Sequence, residues 1–182
     1  MKLIILDRDG VINEDSEHFI KDPSEWVSIP GSLEAISRLN QAGYIVVIAT
    51  NQSGIARGLF DIRTLNDIHE KMHRALSAVG GVIPAIFFCP HGPDDNCECR
   101  KPKTGLFTQI AGRFKTGLQG VYAVGDSLRD IQSAQAVGAK PILVRTGKGE
   151  RTLSSPDAQQ ELKDVPVFDN LSEFVNDFLS RE

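Results

Sequence analysis

The chain has 182 residues, 41% of them hydrophobic and 24% charged, with a formal net charge of −4 at pH 7. That length sets a single domain, spanning 1–182, with a proper hydrophobic core. The mild acidity and the lack of any basic block exclude a general nucleic-acid or membrane surface while leaving room for a local basic pocket.

No segment has the flanks and length of a secretory signal or a membrane span, so the expected location is the cytoplasm. All three cysteines fall between positions 89 and 99, which is not a disulfide framework.

Leu3 to Leu6 is an apolar run that predicts a short strand buried on both faces. Asp7 and Asp9 follow at its C-terminal end, and Gly10 allows a sharp turn. Carboxylates two apart on extended chain point the same way. Such a pair suits a hard cation, or a nucleophile beside a general acid/base, or merely an acidic turn. Residues 12 to 30 form a polar loop too long for a simple connection. Within it, Asp15, Ser16, Glu17 and His18 lie just past the acidic pair, which fits either contact with a bound substrate or an ordinary solvated loop.

Ser32 opens a helix with Leu33, Ile36 and Leu39 inward, and Gly43 ends it. Tyr44 to Ala49 is a second buried strand. After it come Thr50, Asn51, Gln52, Ser53 and Gly54, small polar groups of the kind that hold phosphate, and then Arg57. Asp61 to Val79 predicts a long amphipathic helix. Its His69-Glu70-Lys71-Met72-His73 matches a zinc-protease pattern. Met72 belongs to the apolar stripe and no third ligand stands out, so an ordinary helix edge is the reading.

Ala85 to Phe88 is a third strand. Cys89, His91, Cys97 and Cys99 follow in a loop with no apolar periodicity. Three thiols and an imidazole make a tetrahedral Zn²⁺ set, closed and structural, that fixes a loop unable to bury a core of its own. Arg100-Lys101-Pro102-Lys103 is the densest basic cluster, with Arg and Lys both suited to phosphate oxygens. A helix with Phe107, Ile110 and Phe114 inward comes next.

Val121 to Val124 is a fourth strand, ending in Gly125-Asp126-Ser127-Leu128-Arg129-Asp130. After a further helix, Pro141 to Val144 is a fifth strand. Residues 147 to 160 read as a polar, mobile loop, and Val165 to Phe168 as a sixth, edge strand. Asn170 with Glu173 makes a capping box for the last helix.

Strands and helices alternate throughout, which predicts a Rossmann-like α/β/α fold of three layers around a parallel sheet, with no large cap domain. Asp7/Asp9, Thr50, Arg100/Lys101 and Asp126/Asp130 each follow a different strand on its C-terminal side. A parallel sheet gathers those loops at one edge, setting an acidic cluster fit for Mg²⁺ against a hydroxyl and a lysine fit for phosphate.

With those motifs in place, the chain resembles the haloacid dehalogenase superfamily over nearly its whole length. Asp7-Arg8-Asp9-Gly10-Val11 fits the first motif, Thr50 the second, Lys101 the third and Gly125 to Asp130 the fourth. Thr50 to Gly58, the cysteine loop and Arg100-Lys101-Pro102 resemble the branch that removes the 7-phosphate of D-glycero-D-manno-heptose 1,7-bisphosphate on the route to lipopolysaccharide. Histidinol-phosphate phosphatases are similar and share the zinc loop. A receiver-like signalling domain is the alternative of another class, but receivers lack the second acid supplied here by Asp9.

The resemblance implies Asp7 as nucleophile, Asp9 as general acid/base, and Thr50 and Lys101 as phosphoryl holders. It implies Mg²⁺ on the Asp7 and Asp126 carboxylates and the Asp9 carbonyl. Arg100, Asp15 to His18 and Asn51 to Ser53 would meet a small phosphorylated sugar, bound by a monomer. Relatives often carry Lys where this chain has Ser127, and Arg57 is the candidate to replace that cation.

Overall fold

The computed structural model describes residues 1–182. Leu3–Leu6 (β1), Ile45–Asn51 (β2), Ala85–Cys89 (β3), Tyr122–Gly125 (β4), Lys140–Val144 (β5) and Val167–Phe168 (β6) form one sheet in the order β3-β2-β1-β4-β5-β6. Every pairing is parallel. The chain leaves β1 toward one side and later returns to its other side with β4. β1 is therefore central, and the order reverses beside it, where such sheets bind ligands.

Seven helices cover the sheet: Ser32–Gln41 (α1), Ile62–Ala78 (α2), Gly105–Phe114 (α3), Leu128–Ala136 (α4), Gly149–Ser154 (α5), Gln159–Leu162 (α6) and Leu171–Ser180 (α7). Alternation along β1 assigns the two faces. Ile4 and Leu6 point into the larger core with Ile36, Met72 and Phe174 of α1, α2 and α7. Leu3 and Ile5 point into a second core with Phe107 and Ile110 of α3 and Ala134 of α4. Full burial of all four β1 residues explains why the run is continuously apolar.

Register sets the heights of the strand ends. Leu6 is level with Ile48 and with Val124, so Asp7, Thr50 and Asp126 emerge within a residue or two of one another. Asn51 pairs with Cys89, which starts the cysteine loop at the same edge. No insertion long enough for a separate cap occurs, and no helix is long and apolar enough to cross a membrane.

Two expectations need correction. Residues 147–160 are not an unstructured loop: they hold α5, a 3₁₀ turn at Pro156–Ala158 and the first two residues of α6. Ala158 and Leu162 pin this segment to Ile131 and Leu143 in a third small core, a contact too sparse to show as periodicity. The last strand is also shorter than expected, with only Val167 and Phe168 pairing to β5.

Ile48 is fully buried in the centre of the larger core. Ile48→Ala should lower stability by about 3 kcal/mol, from lost transfer energy and the cavity left behind. Urea unfolding is the check, and an unmoved midpoint would contradict this packing.

Candidate active site

Asp7 leaves the end of β1 with its Oδ1 accepting from the Arg8 backbone N–H at 2.8 Å and lying 3.2 Å from Lys101 Nζ. Burial pushes its carboxyl up to about 6, against the pull of Lys101, and the charges of Asp130 and Asp9 add to the rise. Asp9 is also penalised by burial, yet the Arg8 charge and hydrogen bonds from Asn13, Arg8 and Gln52 hold it below the usual carboxylate range. Its Oδ1 takes Arg8 Nη2 at 2.8 Å, Arg8 Nε at 3.1 Å and Asn13 Nδ2 at 2.9 Å, while Oδ2 takes only Gln52 Nε2 at 2.9 Å.

Lys101 is buried. Its ammonium donates to Asp130 Oδ1 at 2.6 Å and to the Ala49 carbonyl at 2.7 Å, besides facing Asp7. Thr50 is buried beside it and its Oγ1 accepts from Gln52 Nε2 at 3.0 Å. Asp130 closes a capping box at the start of α4, its Oδ2 accepting from the Ser127 hydroxyl at 2.8 Å and the Ser127 backbone at 3.1 Å.

Asp126 is 2 % exposed, and its carboxyl is raised well above the usual range by burial and by the charges of Asp130 and Asp7. The Lys148 backbone N–H donates to its Oδ2 at 2.8 Å, and the Thr152 hydroxyl to its carbonyl at 2.9 Å. Gly10 lies against it at φ 83°, where an added Cβ would stand 2.0 Å from Asp126 Oδ2. Only hydrogen fits there.

Carboxylate oxygens of Asp7, Asp126 and Asp130 lie within 4.8 Å of one another. Asp130 already has Lys101 and Ser127 as partners, so Asp7 and Asp126 remain as all-oxygen donors with a surplus of negative charge. A hard divalent cation fits this arrangement. In the cysteine loop, Cys89 Sγ lies 3.5 Å from His91 Nδ1 and 3.7 Å from Cys97 Sγ, and His91 Nδ1 lies 3.3 Å from Cys99 Sγ. With metal–sulfur bonds of about 2.3 Å, a tetrahedron has edges near these lengths. Cys99 and Cys89, at 2.9 Å, sit closer than such an edge.

Above the acids opens a cleft of about 370 Å³ with almost wholly polar walls. Asp15, Ser16, Glu17, Gln52, Ser53, Arg57 and Arg100 line it as expected. His18 does not: it is exposed, and the turn at Phe19, with φ 65°, brings Phe19 and Ile20 to the cleft wall instead. Asn51 and Ser127 border the cleft, but their polar groups serve the protein. The Asn51 amide clamps Lys101, donating to its carbonyl at 3.1 Å and accepting from its N–H at 3.0 Å. The Ser127 hydroxyl is held by Asp130.

Sequence reasoning missed Arg129, Lys148 and Arg151, which also line the cleft. Lys148 Nζ meets Asp15 Oδ2 at 2.6 Å and Arg151 Nη1 meets Glu17 Oε1 at 3.3 Å. For Lys148 the signal was available: Arg145 to Gly149 follows β5 at the same sheet edge, as the recognised loops follow their strands. Arg57 stacks over the Phe19 ring at 5.4 Å.

The family model described as HAD-hydrolase-like matches residues 98–174. The D-glycero-beta-D-manno-heptose-1,7-bisphosphate 7-phosphatase of Bordetella bronchiseptica is 64% identical over 154 residues, covering 85% of this chain and 86% of its own length. That of Pseudomonas putida is 50% identical over 179 residues, covering 98% and 100%. The chain belongs to this family of haloacid dehalogenase-like hydrolases. A crystal structure of the D,D-heptose 1,7-bisphosphate phosphatase from B. bronchiseptica, complexed with magnesium and phosphate, superimposes with a TM-score of 0.93 at 55% identity over 100% of both chains. Family membership thus agrees with a site built on the ends of β1, β2 and β4 and the loop after β3.

Gly10→Ala should cost about 1–3 kcal/mol, because the methyl meets Asp126 and the backbone sits in a region that only glycine adopts freely. A thermal-unfolding comparison with Gly43→Ala, where φ is also positive but nothing lies within 4 Å, separates the steric contact from the backbone strain. Equal losses for both would contradict the contact.

Proposed function

We propose that this chain is a magnesium-dependent phosphomonoester hydrolase. Its substrate is D-glycero-β-D-manno-heptose 1,7-bisphosphate, from which it removes the 7-phosphate in nucleotide-heptose and lipopolysaccharide precursor synthesis. The carrying observation is the pairing of Asp7, bare toward the cleft beside Lys101, with Asp9, whose Oδ1 is fully engaged and whose Oδ2 is not. The names of the 64% and 50% identical relatives support the substrate and its anomer.

An Asp7 oxygen attacks phosphorus, and the bond from phosphorus to the sugar oxygen breaks as an aspartyl-phosphate forms. The Arg8 grip holds Asp9 ionised in the free site, and the negative charge of a bound phosphate beside it favours a proton on Oδ2; Asp9 gives that proton to the departing alkoxide, then takes one from the water that attacks phosphorus and frees inorganic phosphate. Lys101 and Thr50 hold the phosphoryl oxygens as charge shifts among them. When bound, Mg²⁺ offsets the repulsion between the Asp7 carboxylate and the phosphate dianion. The Asp7 and Asp126 carboxylates and the Asp9 carbonyl would hold it.

Arg57, Arg100 and Arg129 line the cleft without a carboxylate partner, and this favours a second phosphate over the ammonium of histidinol phosphate. Lys148 and Arg151 are neutralised by Asp15 and Glu17. The same reading makes residues 1–182 one domain and the protein a cytoplasmic monomer whose partner is the small phosphorylated sugar.

Phosphate release should be measured with both anomers of the heptose bisphosphate, histidinol phosphate and fructose 1,6-bisphosphate, with and without Mg²⁺. The β-bisphosphate should lead in kcat/KM by about tenfold or more, and Asp7→Asn should lose on the order of 10³-fold, as loss of a nucleophile does. A lead for histidinol phosphate would overturn the substrate assignment.

The cysteine loop is read as a structural zinc site. Metal analysis of the purified protein should give about one zinc per chain, and Cys97→Ser should lower both zinc content and stability, since binding energy at such a site is folding energy. Zinc-free protein with unchanged stability would contradict that role.

A further inference from the structure

The helix motif that resembles a zinc-protease site has a different place in this molecule. His69 lies on the inner side of α2 among Leu65, Ile68 and Met72, and is itself buried. Its Nε2 meets Arg8 Nη1 at 2.9 Å. Arg8 is the largest fully buried side chain of the protein, and its guanidinium faces two ways. One edge, Nε and Nη2, grips Asp9 Oδ1, and the opposite nitrogen, Nη1, reaches His69.

An arginine has only donors to offer, so the histidine nitrogen must accept. A neutral imidazole does so. Burial and the adjacent Arg8 charge keep the ring neutral, lowering its pKa to about 3. The donor at Nη1 has no other partner in the structure, and a buried donor left unmade costs its full desolvation.

We propose that His69 is a positioning residue for proton transfer at Asp9: it fixes the plane of the Arg8 guanidinium, which in turn fixes Asp9 Oδ1 and leaves Oδ2 as the proton-carrying oxygen. This inference rests on Asp9 being the general acid/base. The order of influence is His69, Arg8, Asp9, and His69 itself touches no reacting atom. Without it, the guanidinium has one buried edge unpaired and is free to turn. Asp9 then keeps Asn13 and Gln52 but loses its rigid guanidinium clamp, so its Oδ2 is less firmly aimed and protonation of the leaving alkoxide slows.

The consequence depends on the leaving group. A sugar alkoxide needs a proton to depart, and a p-nitrophenolate does not. Kinetics of His69→Leu, His69→Gln and Asp9→Asn on heptose bisphosphate and on p-nitrophenyl phosphate test the idea, with His69→Phe, which also lacks an acceptor, taking the place of His69→Leu should the latter not fold. Removing the acceptor should lower kcat/KM on the sugar phosphate, which reports the steps up to departure of the alkoxide, by about tenfold or more, part of the ~10²–10⁴-fold that general acid catalysis supplies. On p-nitrophenyl phosphate kcat/KM should fall by less than about threefold, since that leaving group departs without a proton; hydrolysis of the aspartyl-phosphate, where Asp9 is the base, is common to both substrates and lies outside kcat/KM. His69→Gln, which keeps an acceptor, should recover most of the sugar-phosphate rate.

Equal losses on the two substrates, or no loss, would overturn the positioning role. If Asp9→Asn discriminates between the substrates while His69→Leu does not, only His69 is wrongly placed. If Asp9→Asn does not discriminate either, the general-acid reading of Asp9 falls and this inference falls with it.

Discussion

One buried ammonium organises the site. Lys101 stands between Asp7 and Asp130 and takes the carbonyl of Ala49 as a third partner. Burial disfavours its charge, but the two carboxylates outweigh that and raise its pKa. The acids respond unequally. Asp130, closest to the ammonium, is held below the usual range, whereas Asp126, which Lys101 does not touch, is pushed up. Charge is therefore partitioned by distance to a single cation. Asp130 is consumed by structure, and Asp7 and Asp126 keep the unmet negative charge that a divalent cation satisfies.

The placement of that lysine was half legible in the sequence. Short apolar runs announced the strands, because a central parallel strand is buried on both faces and has no polar side to show. Strand ends in such a sheet share an edge, so the sequence alone gathers Asp7, Thr50, Lys101 and Asp126. The same argument applied to β5 would have found Lys148, but the polar run after it looked like mobile chain. Ala158 and Leu162 are the only large or aliphatic side chains buried from α5 to α6, too few to announce a helix.

Roles were harder to read than positions. Asn51 and Ser127 stand where a ligand-binding residue would stand, and both border the cleft. Each is taken up by a backbone or carboxylate neighbour whose place it fixes. A short polar side chain at a strand end can serve a ligand or the chain itself, and composition does not distinguish the two. His69 shows the converse. A motif with a familiar spacing came to rest under Arg8, where burial and a neighbouring cation leave the ring only the part of an acceptor.

The loop after β3 shows why a metal suits this architecture. Lys101 must sit opposite Asp7, yet it follows a segment that offers the core little besides its cysteines. Two ties fix it instead. The Asn51 amide grips its backbone from β2, and the Gly105 N–H donates to the Glu98 carbonyl, closing the segment onto the start of α3. That closure admits no side chain at Gly105, whose Cβ would stand 2.4 Å from the Glu98 oxygen. Zinc on Cys89, His91, Cys97 and Cys99 would be the third tie, joining the end of β3 to the residues just before Arg100. A hydrophobic staple there would need bulky side chains beside the cleft, narrowing the space for a sugar. Four small ligands around one ion would rigidify the same chain in less volume, holding Arg100 and the buried Lys101 at the cleft wall.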